Sequence, residues 1–213
     1  MKSLYPEQSQ SEQAAKGLQV KILTAPAKLV VGLAESKTFL RVEHAEDDGL
    51  IESLIKAVTE KAEEYTHRAF IKQKVMAYWS VFTSYARLPK APHIALADYL
   101  EGDDDFKVER LVSDLWTEVE EGDYTLEGLN EYTLRVPSVF STTSYSQEPL
   151  RVTYYAGYGA EPSAVPEGIK HALKDTIAFL YENRGELQAR DGAKIEAMLT
   201  KTTQNLLTTY QVY

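Results

Sequence analysis

Hydrophobic spacing divides the chain into a helical opening, a β-like middle and a helical return. From Asp47, the residues Leu50, Ile51, Leu54, Ile55, Val58, Ala62 and Tyr65 recur at helical intervals, while Glu52, Lys56, Glu60, Lys61, Glu63 and Glu64 fall on the other side. This predicts an amphipathic helix of about five turns that buries one stripe, with Asp47 and Asp48 as N-terminal cap and favourable charge, ending between Thr66 and Arg68. Just before it, Leu33, Ser36, Lys37 and Leu40 predict a short helix that stops before His44, and Val20 to Leu23 form a brief apolar stretch ahead of Pro26.

The period changes after residue 72. Val75, Ala77, Trp79 and Val81 alternate with Met76, Tyr78, Ser80 and Phe82, which predicts a strand covered on both faces. Further strands are expected near Ile94 to Tyr99, Phe106 to Val112, Tyr124 to Leu126, Tyr132 to Val136 and Leu150 to Tyr155. Turn clusters such as Glu101-Gly102-Asp103, Glu121-Gly122-Asp123 and Gly128-Leu129-Asn130 separate them. Helical spacing returns at Pro166, with Ile169, Ala172, Leu173, Ile177, Leu180 and Tyr181 on one stripe and Gly185 closing the element. A last helix is expected from Asp191, using Ile195, Met198 and Leu199. The Thr-rich stretch from Thr200 to Thr209 is poor helix material, because β-branched side chains lose rotamer freedom there. The expectation for the end of the chain is therefore an extended or frayed tail.

These elements read as an α+β fold: a helical core, made of the long amphipathic helix and the C-terminal helices, with an inserted antiparallel β region. The expected boundaries are an arm over residues 1–20, one domain over 21–199 (helical core 33–70 and 164–199, β insertion 73–156) and a tail over 200–213. The opening residues, rich in Gln, Ser and Glu, have no apolar run, which predicts a flexible arm without a signal peptide.

Composition narrows the functional classes. The 213 residues include no cysteine, which removes disulfide scaffolds, thiolate zinc sites and cysteine nucleophiles. The formal charge is −9, and it is unevenly spread. Between Asp98 and Glu131 stand thirteen carboxylates against Lys107 and Arg110, so that segment carries −11 and the remainder is close to neutral. Such a surface repels a phosphate backbone, which disfavours a sequence-reading nucleic-acid binder. No stretch approaches the length of a membrane span.

Catalytic signals are absent. His44, His67, His93 and His171 stand apart, with no HExxH or i, i+4 pair, so packing or surface roles are expected for them. Asp103-Asp104-Asp105 lacks the oxygen spacing of a calcium loop, Gly157-Tyr158-Gly159 lacks a phosphate-loop lysine, and there is no GxSxG elbow. Neither catalytic residues, a metal site nor a cofactor is expected. The fourteen tyrosines carry more information, because Tyr offers large contact area at low entropic cost. Tyr154, Tyr155, Tyr158, Tyr181, Tyr210 and Tyr213 crowd the last third. The apolar content of the tail marks Leu206, Leu207, Tyr210, Val212 and Tyr213 as candidate partner-binding residues.

Two blocks resemble a known family. Leu33-Ala34-Glu35-Ser36-Lys37-Thr38-Phe39-Leu40-Arg41-Val42, followed by Glu46-Asp47-Asp48 and the helix from Leu50 to Tyr65 with Thr66-His67-Arg68-Ala69-Phe70, resembles the opening of phage head-tail connector (adaptor) proteins. Val152-Thr153-Tyr154-Tyr155-Ala156-Gly157-Tyr158-Gly159, Val165-Pro166-Glu167-Gly168-Ile169-Lys170-His171-Ala172-Leu173 and Tyr181-Glu182-Asn183-Arg184-Gly185 are similar to the end of its longer, β-containing members. The resemblance implies a non-enzymatic ring-forming neck protein of a tailed phage or gene-transfer particle, assembled in the bacterial cytoplasm and placed in the virion. It implies a homo-oligomeric, dodecameric ring beneath the portal protein and above a stopper or tail-completion protein. Double-stranded DNA would pass non-specifically through the ring during ejection, and no membrane would be involved. Separately, the apolar content at the end of the chain predicts that the tail from Thr200 to Tyr213 docks on the portal. A ring uses head-to-tail interfaces, in which one patch meets a different patch of the neighbour. Two other readings come from different classes: an acidic decoy for a DNA-binding partner, which predicts salt-sensitive competition with DNA, and a carboxylate-dependent hydrolase, which a single Asp or Glu substitution would inactivate.

Overall fold

The computed structural model describes residues 17–82, 85–98, 106–129, 131–136, 149–183 and 199–212. The fold is α+β. The chain forms two compact units, a β unit of residues 1–25 and 73–156 and a helical unit of 26–72 and 157–213.

In the helical unit, α1 spans Leu33–Leu40 and α2 spans Asp48–Thr66. Both end on a non-glycine residue in the left-handed region, Arg41 at φ 57° and His67 at φ 55°. In each case the following amide reaches back to the last turn, Val42 N–H to the Lys37 carbonyl (3.0 Å) and Arg68 N–H to that of Glu63 (3.1 Å). Helix α3 spans Glu167–Glu182 and α4 spans Lys201–Thr208. Helices α2 and α3 pack together across the intervening sequence, and α4 packs on both. Their apolar stripes meet in one core containing Ile51, Ile55, Val58, Ile169, Leu173, Ile177 and Leu207.

Several local expectations change here. Asp47 and Asp48 do not cap α2 with their side chains. Instead, Asp47 accepts a hydrogen bond from the Tyr181 hydroxyl and Asp48 pairs with Lys37, so tertiary partners outcompete the local backbone. Glu63, expected on the polar side of α2, is buried, because its carboxylate accepts the Phe70 N–H at 2.7 Å. Pro166 precedes α3 and is not its first helical residue. The closure at Gly185 and the helix from Asp191 lie outside the described residues.

The β unit holds a five-stranded antiparallel sheet in the order β1-β2-β8-β4-β5, from Leu18–Thr24, Gln73–Trp79, Leu150–Ala156, Lys107–Val112 and Leu115–Glu118. A second sheet runs β3-β7-β6, from Tyr85–Arg87, Thr133–Arg135 and Thr125–Glu127. Residues Leu18 to Val20, grouped with the arm in the sequence, belong to β1. On β2, Gln73, Val75, Ala77 and Trp79 are buried while Lys74, Met76 and Tyr78 are half-buried, so only one face is fully covered. The strand expected at Ile94 to Tyr99 is a 3-10 turn over Leu96–Asp98. Strand β4 pairs with β8 only up to Thr153, and the vacated end takes a single bridge, His93 to Ala156, and the Ile94 N–H on the Tyr155 carbonyl (3.1 Å).

Candidate assembly surfaces

The C-terminal segment is a helix packed on its own unit. Thr200 caps α4 by accepting the Thr203 N–H at 3.1 Å, and the Thr203 hydroxyl meets that of Thr176 inside the core at 2.9 Å. The Thr208 hydroxyl donates to the Gln204 carbonyl at 2.8 Å. Thr200, Thr203 and Thr208, which would otherwise penalise a helix through lost rotamer freedom, are thus given hydrogen-bond partners, and burial of Leu207 supplies the rest. Beyond α4, the Val212 N–H reaches the Thr66 carbonyl at 3.1 Å and the Gln211 amide reaches that of Tyr65 at 3.2 Å. The Arg68 guanidinium donates to the Tyr210 carbonyl.

Of the five residues that the sequence marks for partner binding, Leu207 has 0% exposure and belongs to this core, whereas Leu206 is 38% exposed. Tyr210 and Val212 are half-buried, and Tyr213 lies outside the described residues. The tail is therefore neither extended nor frayed over its described length. Packing inside its own unit explains most of its apolar content.

The helical unit also exposes Phe39, Leu50 and Phe179. The Phe39 ring lies edge-on to His171 with centroids 6.4 Å apart, and the Lys174 ammonium sits 5.9 Å from its centroid. Lys174 is held by Glu35 at 2.9 Å. Phe39 thus presents an apolar ring framed by charge, a composition common at protein interfaces.

The acidic segment lies in the β unit. Asp114, Glu118, Glu120, Glu121 and Asp123 are exposed along the β4–β5 hairpin and the turn that follows it, and Glu127 is exposed on β6. Glu109 differs: it grips Arg151 through two 2.7 Å bonds, and the guanidinium lies 4.4 Å from the centre of the Trp116 ring. Its hydrogen bond to Glu109 raises the Arg151 pKa further above the ordinary value. The exposed carboxylates act on the Tyr124 phenol, whose pKa burial raises first and Glu121 and Glu118 raise further. Asp103 to Asp105 lie outside the described residues.

The histidines serve separate surroundings. His93 is buried; its Nδ1 accepts the Tyr132 N–H at 2.8 Å, and its Nε2 lies 3.1 Å from the Pro89 carbonyl. The ring stacks on Tyr132 and meets Tyr154 edge-on. Such a ring is a packing element with both nitrogens occupied. His44 and His171 are exposed beside carboxylates. Among the described residues, no three or more His, Cys, Asp or Glu side chains gather as a metal site, and no helix is long and apolar enough to cross a membrane.

The sheet edges were missed in the sequence. Strand β1 exposes Val20 (42%) and Ile22 (44%), and Leu115 at the start of β5 is 70% exposed. An edge strand with exposed β-branched residues is a recognisable interface signal once its pairing is known. The period-2 pattern alone did not say which strands were edges.

Residues 31–99 match the family model of phage gp6-like head-tail connector proteins. That span begins just before α1 and runs through α2, β2 and β3, so it enters both units. No curated protein sequence matches the chain. Among solved structures, a chain from the neck of an empty GTA particle computed with C6 symmetry aligns with TM-score 0.67 and 19% identity, covering 92% of this chain and 96% of that one. A chain from the virion of a native gene transfer agent (GTA) particle aligns with TM-score 0.68 and 18% identity over the same shares. A third, from the neck of a native GTA particle computed with C12 symmetry, gives 0.65 and 18%, again over 92% and 96%. These likenesses establish the fold over nearly the whole chain. Residues 31–99 thus resemble gp6-like head-tail connectors, on a fold similar to that of chains from the neck and virion of gene transfer agent particles.

Proposed function

We propose that this protein is a structural subunit of the virion neck, forming a homo-oligomeric ring that joins the DNA-filled head to the tail of a phage or gene-transfer particle. The observation that carries the reading is the connector signature over residues 31–99, on the fold of chains from necks computed with C6 and C12 symmetry. Those symmetries support a cyclic assembly, dodecameric in the simplest case. In this reading the ring sits beneath the portal protein and above a stopper or tail-completion protein, and DNA passes through without sequence readout. The exposed carboxylates suit a conduit, because like charge keeps phosphate from sticking. Assembly takes place in the bacterial cytoplasm.

The portal contact falls to the outer face of α4, led by Leu206, since Leu207 is committed to the core. Mass photometry and negative-stain images of the purified full chain, alone and with portal protein, test this reading. Rings that bind portal are expected. Monomers that never associate with themselves, portal or particles would refute it, and a Leu206→Asp variant that joins heads to tails normally would refute the α4 contact.

A further inference from the structure

The five-stranded sheet ends in two edges that have no partner strand among the described residues, β1 and β5. Neighbouring strands are antiparallel throughout. With five strands, the two edges therefore run in the same direction. An edge-to-edge contact between β1 of one copy and β5 of the next is parallel and heterologous, so repetition preserves polarity as a cyclic ring requires. A contact between two β1 edges would be antiparallel and would stop at a dimer.

The faces of the two edges also agree. Cross-strand pairing puts Val20 opposite Ala77, Ala77 opposite Val152 and Val152 opposite Val108. Two residues on, Arg110 stands opposite Thr117. Leu18, Val20 and Ile22 consequently share one face of the sheet with Leu115 and Thr117. On the other face, Lys21 is traced through Met76 and Thr153 to Lys107, and Glu109, two residues along, stands opposite Glu118. The edges thus offer apolar residues on the same face and opposite charges on the other.

Strand β1 lacks the usual protection of an edge. It contains no proline and a single charge, Lys21, while Val20 and Ile22 are exposed. From these observations we infer that β1 docks along β5 of a neighbouring copy, with Leu18 beside Leu115, Val20 beside Thr117 and Lys21 beside Glu118. A slip of one residue would turn the apolar set to the wrong face, so the register is specified. The inference rests on the ring reading above and names the surface that closes the ring.

The absence of cysteine makes the test clean. Full-length protein carrying Lys21→Cys with Glu118→Cys is assembled, oxidised and run without reductant, beside mass photometry of the unmodified chain. Parallel neighbours at strand spacing fall within disulfide reach. The expected result is a ladder of dimers, trimers and higher species that collapses on reduction. The slipped pair, Lys21→Cys with Thr117→Cys, should give none. An Ile22→Glu variant should lose at least about tenfold of its ring population while keeping its circular dichroism and melting temperature. Rings of the unmodified chain without a ladder, or a Lys21→Cys single variant that crosslinks only to dimers, would overturn the inference and leave the ring reading standing. A chain that stays monomeric at every concentration and with portal would overturn both.

Discussion

Replacing Leu207 with Ala separates folding from partner binding in the C-terminal segment. Leu207 is fully buried in the helical core, and the substitution removes three carbons. At about 0.8 kcal/mol per buried carbon the transfer loss is roughly 2.4 kcal/mol. The cavity left between α2, α3 and α4 brings the total to about 3–4 kcal/mol. The hydrogen bonds among Thr176, Thr203 and the 210–212 backbone do not compensate, since they hold α4 to the core without filling the void. A loss of that size lowers the docking equilibrium of α4 by on the order of a hundredfold or more. The Val212 amide, bonded to the Thr66 carbonyl, is the reporter: its hydrogen exchange should quicken by that factor if local undocking governs it. Urea unfolding should show a matching loss of stability. Leu206→Ala, at a 38% exposed position, should cost less than about 1 kcal/mol. If the two substitutions cost the same, or if Leu207→Ala leaves Val212 exchange unchanged, the assignment of Leu207 to the core is wrong.

Thr200→Ala removes the side-chain cap of α4 and should cost about 1 kcal/mol in chemical denaturation. Gly157 has φ +131°, and a Cβ there would come within 2.5 Å of the Ile71 carbonyl carbon; Gly157→Ala should therefore cost at least about 2 kcal/mol, read as a lower urea midpoint. His93→Leu leaves the half-buried Tyr132 N–H without its acceptor, an expected loss of about 1–3 kcal/mol that Ala at exposed His44 would not reproduce. The raised Tyr124 pKa favours the neutral phenol in the folded state. Its contribution is complete below the unfolded value of 10.0 and is lost as pH rises through the folded value. Melting temperatures should accordingly fall less steeply above pH 10 in Tyr124→Phe than in the unmodified chain.

Legibility varied with the kind of signal. The long helix α2 was readable because seven apolar positions repeat at its period and nothing interrupts them. Strand β8 was readable because it is apolar and bounded by turn residues. Strand β5 was not, because its hairpin turns through Ser113 and Asp114, both at positive φ, without the glycine that usually announces such a turn. The burial of Glu63 was also invisible: its position on α2 reads as polar, and only the return of Phe70 N–H gives that carboxylate a reason to be inside. For the candidate surfaces, Leu206 and Leu207 look equivalent as adjacent leucines, yet one faces the core and the other solvent.

Local period, composition and motif suffice to read the α+β class, the position of the main helices, the segregation of acid into residues 98–131 and the likeness to head-tail connectors. Which strands are edges, which tail residue is buried and which carboxylates are paired emerge only in the folded chain. Those outcomes depend on contacts between residues far apart in the chain. Edge status follows from strand order, and strand order is a property of the folded sheet that no window of sequence contains.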